Sequence, residues 1–247
     1  MTASWPGTTG GFLLVALFSV CSRAQTYPRW FLDPGELHCG LTACGYAGDY
    51  YHRKSSDSVA FVDACRSLAI DRFVKIEGGE AYWATEAGVY WMGNDLKEAV
   101  DSSFLHQSVT KCRKLASYSS KEMTIVLVSE SDCSLPQSMD ELVKCPQIRP
   151  RWVDSLPQEH GYIYDEGVAP EYFYESSSWH SAEMKARFNL ARDLKSTVEA
   201  LEKLDNNSGQ DISNVTISAE LRDIQVVGRW RDVNDGLYYV LVRTRAR

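Results

Sequence analysis

The chain writes one long helix twice, and that repetition limits the folds open to it. The first copy spans about 56–74 and carries Ala60, Ala64, Leu68 and Ala69. The second spans about 178–201 and carries Ala182, Ala186, Leu190 and Ala191, each 122 positions after its counterpart. The first three members of each set recur at i, i+4 and i+8, a single stripe on an α-helix. Small residues along a stripe let a helix lie close on something flat, most simply a sheet. Serines precede both copies (Ser55-Ser56 and Ser176-Ser177-Ser178), and their hydroxyls suit the free amides of a first helical turn. The offset also relates Pro28-Arg29-Trp30 to Pro150-Arg151-Trp152, and Gly45-x-Ala47 to Gly167-x-Ala169. The predicted fold class is therefore α+β: two tandem similar lobes, each a mostly antiparallel sheet packed against one or two helices.

Taken in order, 41–47 reads as a strand ending in a glycine bend, and 80–91 as a hairpin bearing Tyr82, Trp83, Tyr90 and Trp91. Adjacent residues on a strand face opposite ways, which groups Tyr82 with Tyr90 and Trp83 with Trp91. A second helix is expected over 95–112 and an apolar strand over 123–128. The stretch 131–149, with Pro136 and Pro146, reads as a linker between a first domain at 25–130 and a second at 150–247. The second closes through an Asn234-Asp235-Gly236 turn between alternating apolar runs, a strong hairpin signal. Val126-Leu127-Val128 matches Val240-Leu241-Val242 at an offset of 114. The first lobe is thus longer between its helix and its last strand, and the aromatic hairpin is the natural insertion.

The mostly apolar run 12–21 is too short to span a bilayer but suits a secretory leader, with Ser22-x-Ala24 as the cleavage signal and Gln25 as the mature start. The expected leader is 1–24, although no basic residue precedes the apolar run. Cys21 as a lipid-bearing cysteine is the rival reading; Val20 stands where that processing wants a small residue, so membrane attachment is expected only if Cys21 is lipidated. Six cysteines follow: Cys39, Cys44, Cys65, Cys112, Cys133 and Cys145. An even count in an exported chain reads as disulfides. The pairing expected from position is Cys133–Cys145 around the linker, Cys65–Cys112 between two helices, and Cys39–Cys44 across a turn. Localisation is expected to be periplasmic, cell-envelope or secreted.

The net charge of −7 argues against a nucleic-acid partner. His38, His52, His106, His160 and His180 show no metal-ligand spacing, and no phosphate-binding or nucleophile motif occurs. No catalytic set, metal or cofactor is expected. Asp95, Glu98 and Asp101 would lie on the second helix, the last two at i and i+3, and read as a solvated face rather than a carboxylate pair. The aromatic hairpin is the candidate binding element, for a protein or a glycan.

Pro-Arg-Trp, the glycine bend, the alanine-striped helix and the closing hairpin Gly228-Arg229-Trp230-Arg231-Asp232 to Tyr239-Val240-Leu241-Val242 together resemble the bacterial twenty-kilodalton lipoprotein (Lpp-twenty-like) domain, in two tandem copies. The second lobe matches better; in the first, Tyr118 stands near the place of Trp230. The resemblance implies a small α/β domain outside the cytoplasm, with a scaffold role in envelope or motility-structure assembly and no catalytic set. The alternative is a secreted hydrolase or glycan-binding protein with its site between the lobes or at the hairpin 80–91.

Overall fold

Both striped helices form, each beginning about one turn earlier than predicted. The structure, a computed structural model, describes residues 25–48, 53–85, 88–100, 102–202 and 213–246. The first half runs β1 (Thr26–Pro28), α1 (Arg29–Leu32), β2 (Thr42–Gly48), α2 (Arg53–Arg72), β3 (Phe73–Thr85), β4 (Gly88–Asn94), β5 (Lys97–Ala99), α3 (Ser102–Lys111), β6 (Arg113–Ser119) and β7 (Met123–Ser129). After β8 (Leu142–Lys144) come α4 (Arg151–Asp154), β9 (Tyr162–Pro170), α5 (Glu175–Glu202), β10 (Ser213–Arg222), β11 (Gln225–Asp232) and β12 (Leu237–Arg245).

The mixed α+β class, with antiparallel sheets packed on helices, is as expected. β2-β7-β6 and β9-β12-β11 form sheets of the same order. Their registers correspond as well: Gly45 pairs with Val126 as Gly167 pairs with Val240, and Tyr118 pairs with Ile125 as Trp230 pairs with Tyr239. Even the irregularity in the third strand recurs, at Lys114/Ala116 and at Val226/Gly228. All eight stripe residues have 0% exposure, so the small-residue face is the one that meets the sheet. A Cβ at Gly45 would collide with the backbone of Ala60 and Ala64, and one at Gly167 with that of Ala182 and Ala186. Glycine is needed there because helix and strand backbones nearly touch.

The halves interlock rather than follow one another as beads. β3 of the first pairs antiparallel with β10 of the second along Phe73–Tyr82. β7 is buried at every position, which explains its unbroken apolar run. Val126 and Val128 pack under α2, while Met123, Ile125 and Leu127 join a core shared with Trp179, Leu190 and Val240. Among the described residues β4, β5 and α3, together a larger unit than the aromatic hairpin alone, have no counterpart in the second half. The polar stretch 205–209 lies outside the described residues.

Several expectations are corrected. The helix predicted over 95–112 is confined to Ser102–Lys111, because Lys97–Ala99 pairs as β5 with Lys75–Glu77 of β3. Asp95 precedes that strand and Glu98 lies on it, so Glu98 and Asp101 are not an i, i+3 helix pair; Asp101 itself lies outside the described residues. The serine runs sit inside the helices: the Ser178 hydroxyl accepts from the Tyr172 amide at 2.8 Å, and Ser56 is buried at the equivalent place. The stretch 131–149 contains β8, which pairs with β1.

Of the expected disulfides only Cys65–Cys112 forms (Cα–Cα 5.8 Å). The other is Cys39–Cys133 (Cα–Cα 5.4 Å). Thr42 at the start of β2 pairs with Ser129 at the end of β7, so antiparallel register carries Cys39 and Cys133 out side by side. Cys44 and Cys145 are buried free thiols. Cys145 accepts from the Arg231 amide at 3.4 Å, and burial pushes its pKa up.

Candidate functional site

Buried charge collects where the halves meet. Arg229 on β11 donates to Glu183 of α5 at 2.6 Å and to the Phe31 carbonyl at 2.9 Å, with its guanidinium 4.6 Å over the Phe31 ring. The Tyr46 hydroxyl, from β2, donates to the same Glu183 oxygen at 2.6 Å. Burial alone would raise the Glu183 carboxyl, but Arg229, His180 and Arg187 outweigh it and hold it below the usual range. One turn along α5, Arg187 donates to Glu98 at 2.6 Å and lies 3.3 Å from Asp71 of α2. Burial pushes Asp71 up to about 7, with Glu183 and Glu98 adding to the rise and Arg187 opposing it. Cys44, beside Arg229, is raised to about 12 by burial and stays a thiol. Glu183, Arg229, Arg187 and Asp71 have side chains no more than 3% exposed, so they serve as an internal clasp. At position 65, the counterpart of Arg187, the first half carries a disulfide cysteine. The duplicated halves have diverged into a covalent tie in one and an ionic tie in the other.

Tyr46, which donates to Glu183 of the clasp, also lines an open groove of about 390 Å³ between α2 and the start of α5. Tyr46 and Asp63 line it from the first half; Ser176, Ser177, His180, Ser181 and Met184 line it from the second. The Asp63 carboxylate accepts from the Tyr46 amide at 2.8 Å, which holds α2 to β2. Burial raises the Asp63 carboxyl, against the pull of that amide and of His180. His180 Nδ1 stands 3.9 Å from Asp63 Oδ2, beyond hydrogen-bond reach, and its ring meets Tyr46 edge-on at 6.0 Å. Ser176 and Ser177 lie one turn before His180, on the same helix face. The groove thus offers hydroxyls, an imidazole and a carboxylate to a ligand without assembling a hydrogen-bonded base-and-orienter chain.

The residues expected to bind are placed only in part. Tyr82 and Trp83 lie on β3, Tyr90 and Trp91 on β4, as a hairpin. Backbone register sets Tyr82 opposite Trp91 and Trp83 opposite Tyr90, a pairing different from the grouping predicted. Their side chains lie outside the described residues. His38, His106 and His160 are exposed and scattered, and His52 lies outside the described residues. Among the described residues no cluster of three or more His, Cys, Asp or Glu is arranged for a metal.

Sequence reasoning missed the loop before α5. Tyr172, Phe173 and Tyr174 are exposed together, Phe173 by 91%. The signal was present: 122 positions earlier stand Tyr50-Tyr51-His52, so both copies carry a run of ring side chains ahead of the striped helix.

Fold and groove define an α+β protein of duplicated design. Its two disulfides suggest an oxidising, exported environment, and among the described residues no helix is long and apolar enough to cross a membrane. The chain matches no protein-family model, no characterised protein and no solved structure.

Proposed function

We propose that this is a non-catalytic scaffold or interaction protein of the cell envelope or extracellular space, in line with the resemblance to the twenty-kilodalton lipoprotein domain. One observation carries the reading: among the described residues the most deeply buried ion pairs, Arg229–Glu183 and Arg187–Asp71, are committed to the joint between the halves, and the accessible groove leaves His180 and Asp63 3.9 Å apart. Gln25, the proposed mature start, has its amide held by Glu122, Glu175 and Arg231, so a chain beginning there keeps its first residue anchored. A groove that draws on both halves favours glycan binding as the second reading, ahead of hydrolysis.

The test is to produce the protein with its leader in a bacterial host and analyse the exported fraction. Mass spectrometry should find a start at or near Gln25 and oxidised Cys39, Cys65, Cys112 and Cys133, with no turnover of ester or glycoside substrates. Turnover that disappears in His180→Ala would replace this reading with a hydrolase; an acylated Cys21 would move the protein onto a membrane.

A further inference from the structure

We propose that the groove between α2 and α5, together with the aromatic loop ahead of α5, is a binding site for a neutral oligosaccharide; this rests on the non-catalytic reading and names its ligand class. Tyr172, Phe173 and Tyr174 are 43%, 91% and 61% exposed, so all three rings forgo part of the stabilisation that burial would bring. They are nevertheless held in place. Glu171 donates its amide to the Gly236 carbonyl at 2.8 Å and accepts from Arg231 at 2.7 Å. Tyr172 donates its amide to Ser178 Oγ at 2.8 Å, and the Tyr174 carbonyl accepts from the Ser177 amide at 3.0 Å. Phe173 and Tyr174 then meet edge-on at 4.9 Å. A loop pinned at both ends, presenting rings to water, is pre-organised for a partner and loses little freedom on binding.

The chemistry around it selects the partner. A sugar ring offers an apolar C–H face for aromatic stacking and a rim of hydroxyls for hydrogen bonds. The rings of the loop supply the first surface. Within one turn, Ser176, Ser177 and His180, with Asp63 across the groove, supply the second. Glu171 lies beside the rings, Asp63 lies in the groove and the chain carries a net charge of −7, which together disfavour an anionic polymer and leave a neutral glycan. The counterpart run Tyr50-Tyr51-His52, with Asp49 in the place of Glu171, shows that the duplication carried ring residues along at a place outside the helix stripe.

The test is an array of short oligosaccharides, neutral (including β-linked N-acetylglucosamine oligomers) and sulfated, probed with the whole oxidised protein. Neutral oligomers should bind, and the double variant Phe173→Ala/Tyr174→Ala should weaken binding about tenfold or more with an unchanged melting temperature, since neither ring is buried. His180→Ala should weaken the same glycans. Binding of sulfated chains only, no binding of any glycan, or full binding by the double variant would each overturn the proposal. Binding accompanied by cleavage would instead sink the non-catalytic reading and leave the ligand class standing.

Discussion

At the joint between the halves, three carboxylates (Asp71, Glu98 and Glu183) face two guanidinia, Arg187 and Arg229, with Tyr46, Cys44 and His180 around them. One negative charge is in excess, and burial settles the extra proton on Asp71, up to about pH 7. The ordinary Asp value is about 4, so between about pH 4 and 7 the folded state holds a proton that the unfolded chain has lost. Stability should therefore fall as pH rises through that window, with a slope of at most about 1.4 kcal/mol per pH unit per group. Asp165, also raised to about 7 by burial, contributes in the same direction. Asp71→Asn should consequently reduce the slope without abolishing it. Urea unfolding at pH 5, 6 and 7 checks this, and an identical slope in the variant would show that Asp71 is ionised throughout.

The decisive contact between elements is that of a striped helix on its sheet. Ala182 and Ala186 bring the α5 backbone so close to β9 that no side chain fits at Gly167. Gly167→Ala should cost about 1–3 kcal/mol through overpacking. Gly48→Ala, at a position where an added Cβ meets nothing within 4 Å, should be neutral or stabilise by up to about 1 kcal/mol. Thermal melts of the two variants compare them directly; equal effects would mean that the helix shifts freely on the sheet. This contact was legible because a period of four in small residues has no other use on a sheet-facing helix. The segment 95–112 was misread for the opposite reason. Its carboxylate spacing suits a helix, but β3 offers Lys97–Ala99 an open edge, and pairing with that edge wins.

For the molecule as a whole, the shared core makes separate melting of the halves implausible on physical grounds: Ile125 and Leu127 of one half pack in the same cluster as Trp179 and Val240 of the other. Every cysteine lies before residue 150, a placement that from sequence alone would put the effect of reduction in the first half. The structure instead predicts one transition, displaced as a unit. The bonds join residues 94 and 47 positions apart, and each restricts the unfolded chain by about 4–5 kcal/mol in the chain-entropy picture. Melts with and without reductant, followed by far- and near-ultraviolet circular dichroism, should stay coincident and move down together. Two transitions, only one of them sensitive to reductant, would show independent halves.

By itself, the sequence determined what is periodic or local: the duplication, the two striped helices, the Asn-Asp-Gly hairpin and the presence of disulfides. These follow from spacing along one strand or helix, where side-chain direction is set by the backbone period. That Gly45 and Gly167 lie within strands beneath those helices, rather than in a bend, came from the packing. Tertiary structure alone decided that Cys39 meets Cys133, which residues oppose one another in the aromatic hairpin, and that β3 and β10 share a sheet. It alone also brought Asp63 and Tyr46 to His180, 117 and 134 positions away along the chain. Each of these depends on register between segments distant in sequence, and a shift of one residue in register sends a strand's side chains to the opposite face. Local spacing carries no record of that choice; the packing of buried charge and apolar surface between the two halves makes it.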